Sequence, residues 1–387
     1  MSIIYLDSNA TTKPADEVVD AMTGALREHW PNPSSTHRAG QAVRQQVDLA
    51  RETIAEFLGC KDRQIVFTSG GTEADNLAIL GSLAAQNERN VLVTSRTEHD
   101  AVRDTAEVAA EAGVEIIWLP LDGEGVVDCD ALKDLLSRRA DEIALVSIMW
   151  ANNETGVIQP IETIGALCRE HGVRFHTDAV QWVGKMPTNV SELPIDLLSF
   201  SAHKFHGPKG IGGLYMRRGV RVIKRSIGGS QERDRRGGTE NTPGIVGMSV
   251  AARLAREWLS SDERKRLEAL RDRFEQRIIA EIDEVRINSA GGQRMWNTAN
   301  IAFRHLEADA IVLVLSENGI CASAGAACAS GSLEPSPILL AMGVPEDYAH
   351  GSIRFSLSRY TTDEEIDKAL EIIPGVIERL RGSMSAV

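Results

Sequence analysis

Short apolar runs alternate with amphipathic stretches through the first two hundred residues, and this alternation constrains the fold more than any other feature. Gln64–Ser69, Asn90–Ser95, Val114–Pro120, Ile143–Met149 and Val173–Ala179 read as strands: each is short and bounded by polar residues or glycine. Thr72–Gln86, Asp100–Ala112 and Ile161–His171 carry the helical period between them. Strand–helix alternation implies a mostly parallel sheet with helices on both faces, an α/β fold. In such sheets ligands gather beyond the carboxyl ends of the strands, so residues just after these runs are the first candidates for chemistry.

The texture changes after about residue 250. Gly247–Leu259, Asp262–Ile282, Glu307–Asn318 and Asp363–Arg381 read as helices, and Glu284–Ser289, Thr298–Phe303 and Gly351–Arg359 as strands. This predicts a smaller α+β domain with a boundary near residue 260. A chain of 387 residues fits two such domains.

The net charge of −13 repels phosphate backbones and argues against nucleic acid as a partner. The five cysteines, Cys60, Cys129, Cys168, Cys321 and Cys328, are scattered and form no CxxC pair. They indicate neither a disulfide framework nor a zinc site, and no metal is required. Free thiols fit a reducing cytosol, so a cytoplasmic location is expected. Met1–Thr12 does not read as a secretory signal, and no apolar run approaches the ~20 residues that cross a membrane.

Six places carry candidate chemistry. In Thr68-Ser69-Gly70-Gly71-Thr72-Glu73 a strand ends, two glycines follow and a helix begins. Backbone N–H groups at such a start favour a phosphate, though Thr72 also suits a plain N-cap. Lys204 follows the strand-like run Asp196–Ala202 and enters a Gly/Pro-rich loop; it suits either an ordinary surface lysine or, if partly desolvated there, a Schiff-base nucleophile. Asp178 ends another strand; it suits either an N-cap or a partner for a protonated ring nitrogen, and Gln181 could bond a phenolic oxygen. Asn152 and Asn153 stand at the same sheet edge. His99 can stack on an aromatic ring and exchange protons near neutral pH, or be an ordinary loop histidine.

The fifth place is Cys328, set among Ser323, Ala324, Gly325, Ala326, Ala327, Ala329, Ser330 and Gly331. Small neighbours suggest an open loop rather than a packed strand, a setting for a reactive thiol. The sixth is Arg354, whose planar fork suits a carboxylate, from a substrate or from a structural ion pair.

No single signal decides the function, but their order does. Tyr5-Leu6-Asp7-Ser8-Asn9-Ala10-Thr11-Thr12, TSGGTEADN from Thr68, Glu98-His99, NNETG from Asn152, DAVQ from Asp178, His203-Lys204 with GPKG, GGSQE from Gly228 with GTEN from Gly238, SAGAACAS from Ser323 and RFSL from Arg354 together resemble the cysteine desulfurases. WANNETG, FHTDAVQ and CASAGAACASGSLEP make the chain most similar to the nitrogen-fixation (NifS) type, though the housekeeping (IscS) type shares most motifs. Ser8, Asp100, Ala324, Ala326 and Ala329 depart from residues common in that family.

The resemblance implies the pyridoxal-phosphate fold type I, aspartate aminotransferase-like. Residues 15–260 would form a large cofactor domain on a mainly parallel seven-stranded sheet. Residues 1–14 and 261–387 would form the small domain with the thiol loop. It implies pyridoxal 5′-phosphate as cofactor, held by Lys204, with Asp178 on the ring nitrogen, Gln181 on the ring hydroxyl and His99 stacked on the ring. Gly71, Thr72, Ser201 and His203 would bind the phosphate, and Thr239 would reach the cofactor of the second subunit of a homodimer. Asn153 and Arg354 would hold the substrate carboxylate. The implied reaction takes sulfur from L-cysteine, leaving L-alanine and a persulfide on Cys328, with Lys204 and His99 as the other catalytic groups. The implied sulfur acceptor is an iron–sulfur scaffold protein, nitrogenase-related, with Cys328 a candidate transient cluster ligand. A selenocysteine lyase or an aminotransferase on the same fold is the alternative.

Overall fold

The computed structural model describes residues 3–86, 88–325 and 334–384. Its centre is a seven-stranded sheet in the spatial order Ile65–Thr68, Gly212–Met216, Leu197–Ser201, Phe175–Asp178, Ile143–Ser147, Val91–Ser95 and Glu115–Leu119. Gly212–Met216 runs antiparallel to both of its neighbours. The other pairs are parallel. All strands but the edge strand Glu115–Leu119 are buried along their whole length, which accounts for apolar runs such as those of Ile65–Thr68 and Ile143–Ser147.

The five early strands and three helices fall where the sequence pattern places them, within one or two residues at each end. Gly212–Met216 is a strand the pattern does not announce, because Gly212 and Gly213 carry no β-branched signal. The helices Asp16–Glu28, Arg38–Leu58 and Cys129–Arg139 also lie outside the early expectation. Arg38–Leu58 buries Val43, Val47, Ile54 and Leu58 on one stripe, begins at a His37 cap and stops at Gly59 in the left-handed conformation. Helix Thr242–Leu259 starts with the Asn241 side chain accepting from Gly244 N.

Beyond residue 260, Val285–Ile287, Thr298–Phe303 and Ser352–Ser356 form a three-stranded antiparallel sheet with Thr298–Phe303 in the middle. Helices Glu263–Glu281, Ala308–Glu317 and Asp363–Met384 belong to the same part of the chain. Strand Ile4–Tyr5 pairs in parallel with Ile320–Cys321. Ile4 and Leu6 therefore share an apolar core with Leu267, Phe274, Ile301, Phe355 and Ile373. A separate core, from Ala15 to Met295, fills one face of the large sheet, and a smaller one around Val66, Leu77, Leu92 and Leu214 fills the other. Among the described residues, no helix is long and apolar enough to cross a membrane.

Candidate active site

A cavity of about 530 Å³ opens at the carboxyl ends of the central strands. Gly71 and Thr72, His99, Met149, Asp178 and Ser201 reach it from the ends of five strands of the large sheet, as expected for an open α/β sheet. Asn9, Asn153, Gln181, His203, Lys204 and Arg354 complete the wall. Gly325 and Pro337, on either side of residues 326–333, also line it. Cys328 lies outside the described residues. Thr239 is exposed and stands apart from this wall.

Lys204 ends a single 3₁₀ turn, Ala202–Lys204, that follows the strand Leu197–Ser201 directly. Its Nζ donates to Asn9 O at 2.6 Å and Ala10 O at 2.9 Å. Asp178 ends its own strand and is buried; Oδ1 accepts from Val180 N at 2.8 Å. Burial raises the Asp178 pKa, while the charges of His99 and Lys204 draw it part of the way back. His99 caps the helix Asp100–Glu111, its Nδ1 accepting from Ala101 N at 3.0 Å. That bond fixes the tautomer, so in the neutral ring the proton sits on Nε2.

Gln181 donates from Nε2 to Asn9 O at 3.0 Å and accepts at Oε1 from Lys185 Nζ at 2.6 Å. His203 Nδ1 lies 3.1 Å from Thr11 Oγ1. Burial, with the charges of Lys204 and Lys209, lowers its pKa to about 4, so it is neutral at pH 7. Arg354 donates from Nη2 to Asp7 Oδ1 at 2.8 Å and from Nη1 to Asn153 O at 3.0 Å.

Several contributors stand in motifs from which the sequence alone gives them no role. Asn9 accepts at its carbonyl from Gln181 and Lys204, accepts at Oδ1 from Lys185 and Asn297, and donates from Nδ2 to Thr298 Oγ1. It stood inside a quoted motif, but nothing local marks an asparagine as the junction of four distant segments. Asp75 and Glu98 are buried carboxyls close enough to Asp178 to repel it, and burial pushes both pKa values up. Glu154 Oε2 accepts from Ser336 Oγ at 2.6 Å. Among the described residues, no cluster of histidine, cysteine and carboxylate side chains is placed to hold a metal.

A family model described as aminotransferase class-V matches residues 4–369. A cysteine desulfurase of Trichormus azollae is 49% identical over 98% of this chain and 94% of its own length. The cysteine desulfurase NifS of Azotobacter vinelandii is 46% identical over 98% and 94% of the two chains. The chain belongs to the cysteine desulfurase branch of the class-V aminotransferase family. A solved structure of a NifS-like protein has the same fold, with a TM-score of 0.91 at 36% identity over 98% of this chain and all of that one.

Enzymes of this family depend on pyridoxal phosphate, and the cavity fits that group. A doubly charged phosphate suits the N-terminus of the helix Gly71–Ala85, whose first N–H groups have no partner within the helix. A Cβ at position 71 would meet Val180 Cγ2 at 2.6 Å, so any side chain there would force Val180 to move. Asp178, raised in pKa by burial, is stabilised by a cation brought beside it, and a protonated ring nitrogen is one. Asn153 Oδ1 is buried on the cavity wall with no hydrogen-bond partner among the described residues, an acceptor suited to a ligand.

Proposed function

We propose that this chain takes sulfur from L-cysteine, releases L-alanine and carries the sulfur away as a persulfide on Cys328. The observation that carries the reading is the joint placement of Lys204, Asp178 and the Gly71 helix start on one wall, with Arg354 and the flanks of the Cys328 segment on the same cavity.

In this reading Lys204 holds the cofactor, Gly71, Thr72, Ser201 and His203 take its phosphate, Asp178 its ring nitrogen and Gln181 its ring oxygen. When bound, pyridoxal phosphate supplies an electron sink for the bond broken at the substrate α-carbon. Arg354 and Asn153 hold the substrate carboxylate, which orients that carbon toward the Lys204 amine. Lys204 receives the α-proton and returns it as the carbon skeleton becomes alanine. The Cys328 thiolate attacks the substrate sulfur. A new S–S bond forms as the C–S bond breaks, and the electrons of that bond go to carbon. His99, with its proton on Nε2, serves as proton carrier for the thiols.

Residues 15–260 act as the cofactor domain and residues 1–14 with 261–387 as the smaller domain; the separate apolar cores support this division. The reading includes a homodimer in which Thr239, exposed here, meets the cofactor phosphate of the second subunit. It also includes a cytoplasmic location and an iron–sulfur scaffold as acceptor, with a nitrogenase-related role supported by the likeness to NifS.

The test is mass spectrometry of the holoenzyme after cysteine. A mass increase of one sulfur on the Cys328 peptide, with alanine as product, is expected. Cys328→Ala should keep the yellow colour and lose desulfuration. Pyruvate in place of alanine, or wild-type turnover by Cys328→Ala, defeats the reading.

A further inference from the structure

Lys185 is a buried lysine that the reaction does not use. It is 5% exposed and follows Gly184, and its backbone carbonyl is held by the Trp296 indole N–H at 3.0 Å. Among the described residues its Nζ donates to two side chains, Gln181 Oε1 at 2.6 Å and Asn9 Oδ1 at 2.8 Å. A neutral amine has two N–H bonds, and both are matched here; an ammonium has three. Burial, followed by the charges of Lys204 and Arg354, pushes the Lys185 pKa well below that of an ordinary lysine. His206 and Arg359 face it across a small cavity that Lys204 also lines.

The two ends of a glutamine amide are nearly the same size, so neighbours decide which end points where. Around Gln181 they decide it twice. The Asn9 carbonyl can only accept, so it selects Nε2, at 3.0 Å. Lys185 donates, so it selects Oε1. Asn9 is itself locked, since its Oδ1 accepts from Asn297 Nδ2 at 2.9 Å and its Nδ2 donates to Thr298 Oγ1 at 2.9 Å. One Nε2 hydrogen of Gln181 is thereby committed and the other is left for the cavity that Gln181 lines. An N–H beside an ionisable oxygen favours its anionic form, whereas a flipped amide would set a lone pair against it.

We propose that Lys185 is a positioning residue that fixes the orientation of the Gln181 amide and, through it, the ionisation of the cofactor's ring oxygen. The inference rests on the Gln181 contact of the proposed function, and it assigns Lys185 no contact with substrate or cofactor.

The experiment is a pH titration of the visible absorption of the holoenzyme in wild type, Gln181→Ala, Lys185→Met and the double variant. Each single change is expected to raise the midpoint by about one pH unit, a tenfold change in the equilibrium. The double variant should move no further than either single one, because both act on the same N–H. If Gln181→Ala shifts the midpoint and Lys185→Met leaves it at the wild-type value, the inference is overturned and the Gln181 contact stands. If Gln181→Ala itself leaves the midpoint unmoved, the contact and the inference fall together, while the persulfide test remains separate. Full additivity in the double variant also overturns the inference. Should Lys185→Met not fold, Lys185→Gln takes its place; its shorter donor should give a smaller upward shift, and an unchanged midpoint counts against the inference.

Discussion

Asp7 and Arg354 lie 347 residues apart in the sequence and meet at 2.8 Å in the fold. The bond holds one side of the Arg354 fork while Asn153 O takes Nη1. The Arg354 Nε is buried, with no hydrogen-bond partner among the described residues. The guanidinium is thus oriented before any substrate arrives.

Removing that group should act on substrate binding first. Arg354→Ala is expected to raise the KM for L-cysteine by about 10- to 100-fold, the value of one charge-assisted hydrogen-bonded pair. The loss in kcat should be smaller. Arg354→Lys should recover little, because a point charge does not replace a planar fork. Steady-state kinetics with alanine detection checks this. An unchanged KM in both variants would remove Arg354 from the substrate site.

His206 gives the stability a definite acid limb. Its pKa is lowered to about 4, chiefly by burial and then by Arg359, against an ordinary 6.5. The sign follows from proton binding: the unfolded chain takes up a proton that the folded site refuses. The contribution is complete above pH 6.5 and is lost as the pH falls from 6.5 toward about 4. His176, lowered to about 3 by burial, works in the same direction. Between those limits each histidine steepens the loss by up to about 1.4 kcal/mol per pH unit. His206→Asn, which accepts the positive φ of this position, should flatten the profile between pH 6.5 and 5 in urea unfolding.

Gly184 lies under the lysine loop with φ near +82°, and a Cβ there would meet Phe205 Cβ at 2.3 Å. Phe205 is the residue after Lys204. Gly184→Ala should therefore cost about 1–3 kcal/mol of stability from overpacking and displace the loop. The expected signature is weakened cofactor retention, read as a lower ratio of visible to ultraviolet absorbance after gel filtration. Full retention would show that the loop moves independently of Phe205.

Arg51 and Glu232 form a buried two-point pair at 2.6 and 2.7 Å, and Glu232 Oε2 also accepts from Phe67 N at 2.9 Å. Phe67 lies in the strand that leads to Gly71. Arg51→Met alone or Glu232→Leu alone should each cost about 3–5 kcal/mol, because the other charge is left buried and unpaired. The double variant should cost clearly less than the sum. Additive losses by urea unfolding would show that the two charges do not depend on each other.

Much of the sheet is readable because strands such as Ile65–Thr68 and Ile143–Ser147 are buried along their length and carry apolar runs. Gly212–Met216 is not, since a strand made partly of glycine takes its place from its neighbours rather than from its own side chains. At the site, the sequence places Asp178 at the end of one clear strand and Lys204 just after another, and both line the cavity. Lys185 is not marked in this way. It sits after a turn with no periodic signal, and its importance comes from Asn9, which is brought to it from the other end of the chain. Local patterns report local preference, and a polar junction built from four segments leaves no trace in any one of them.

The pairing of Ile4–Tyr5 with Ile320–Cys321 and the bonds of Asn9 with Asn297, Thr298 and Ser356 join positions 288 to 347 residues apart. The Asn9 and Ala10 carbonyls that receive the Lys204 amine are thus held from the three-stranded sheet as well as from the large one. A disturbance of the smaller sheet is thereby transmitted to the lysine through one asparagine.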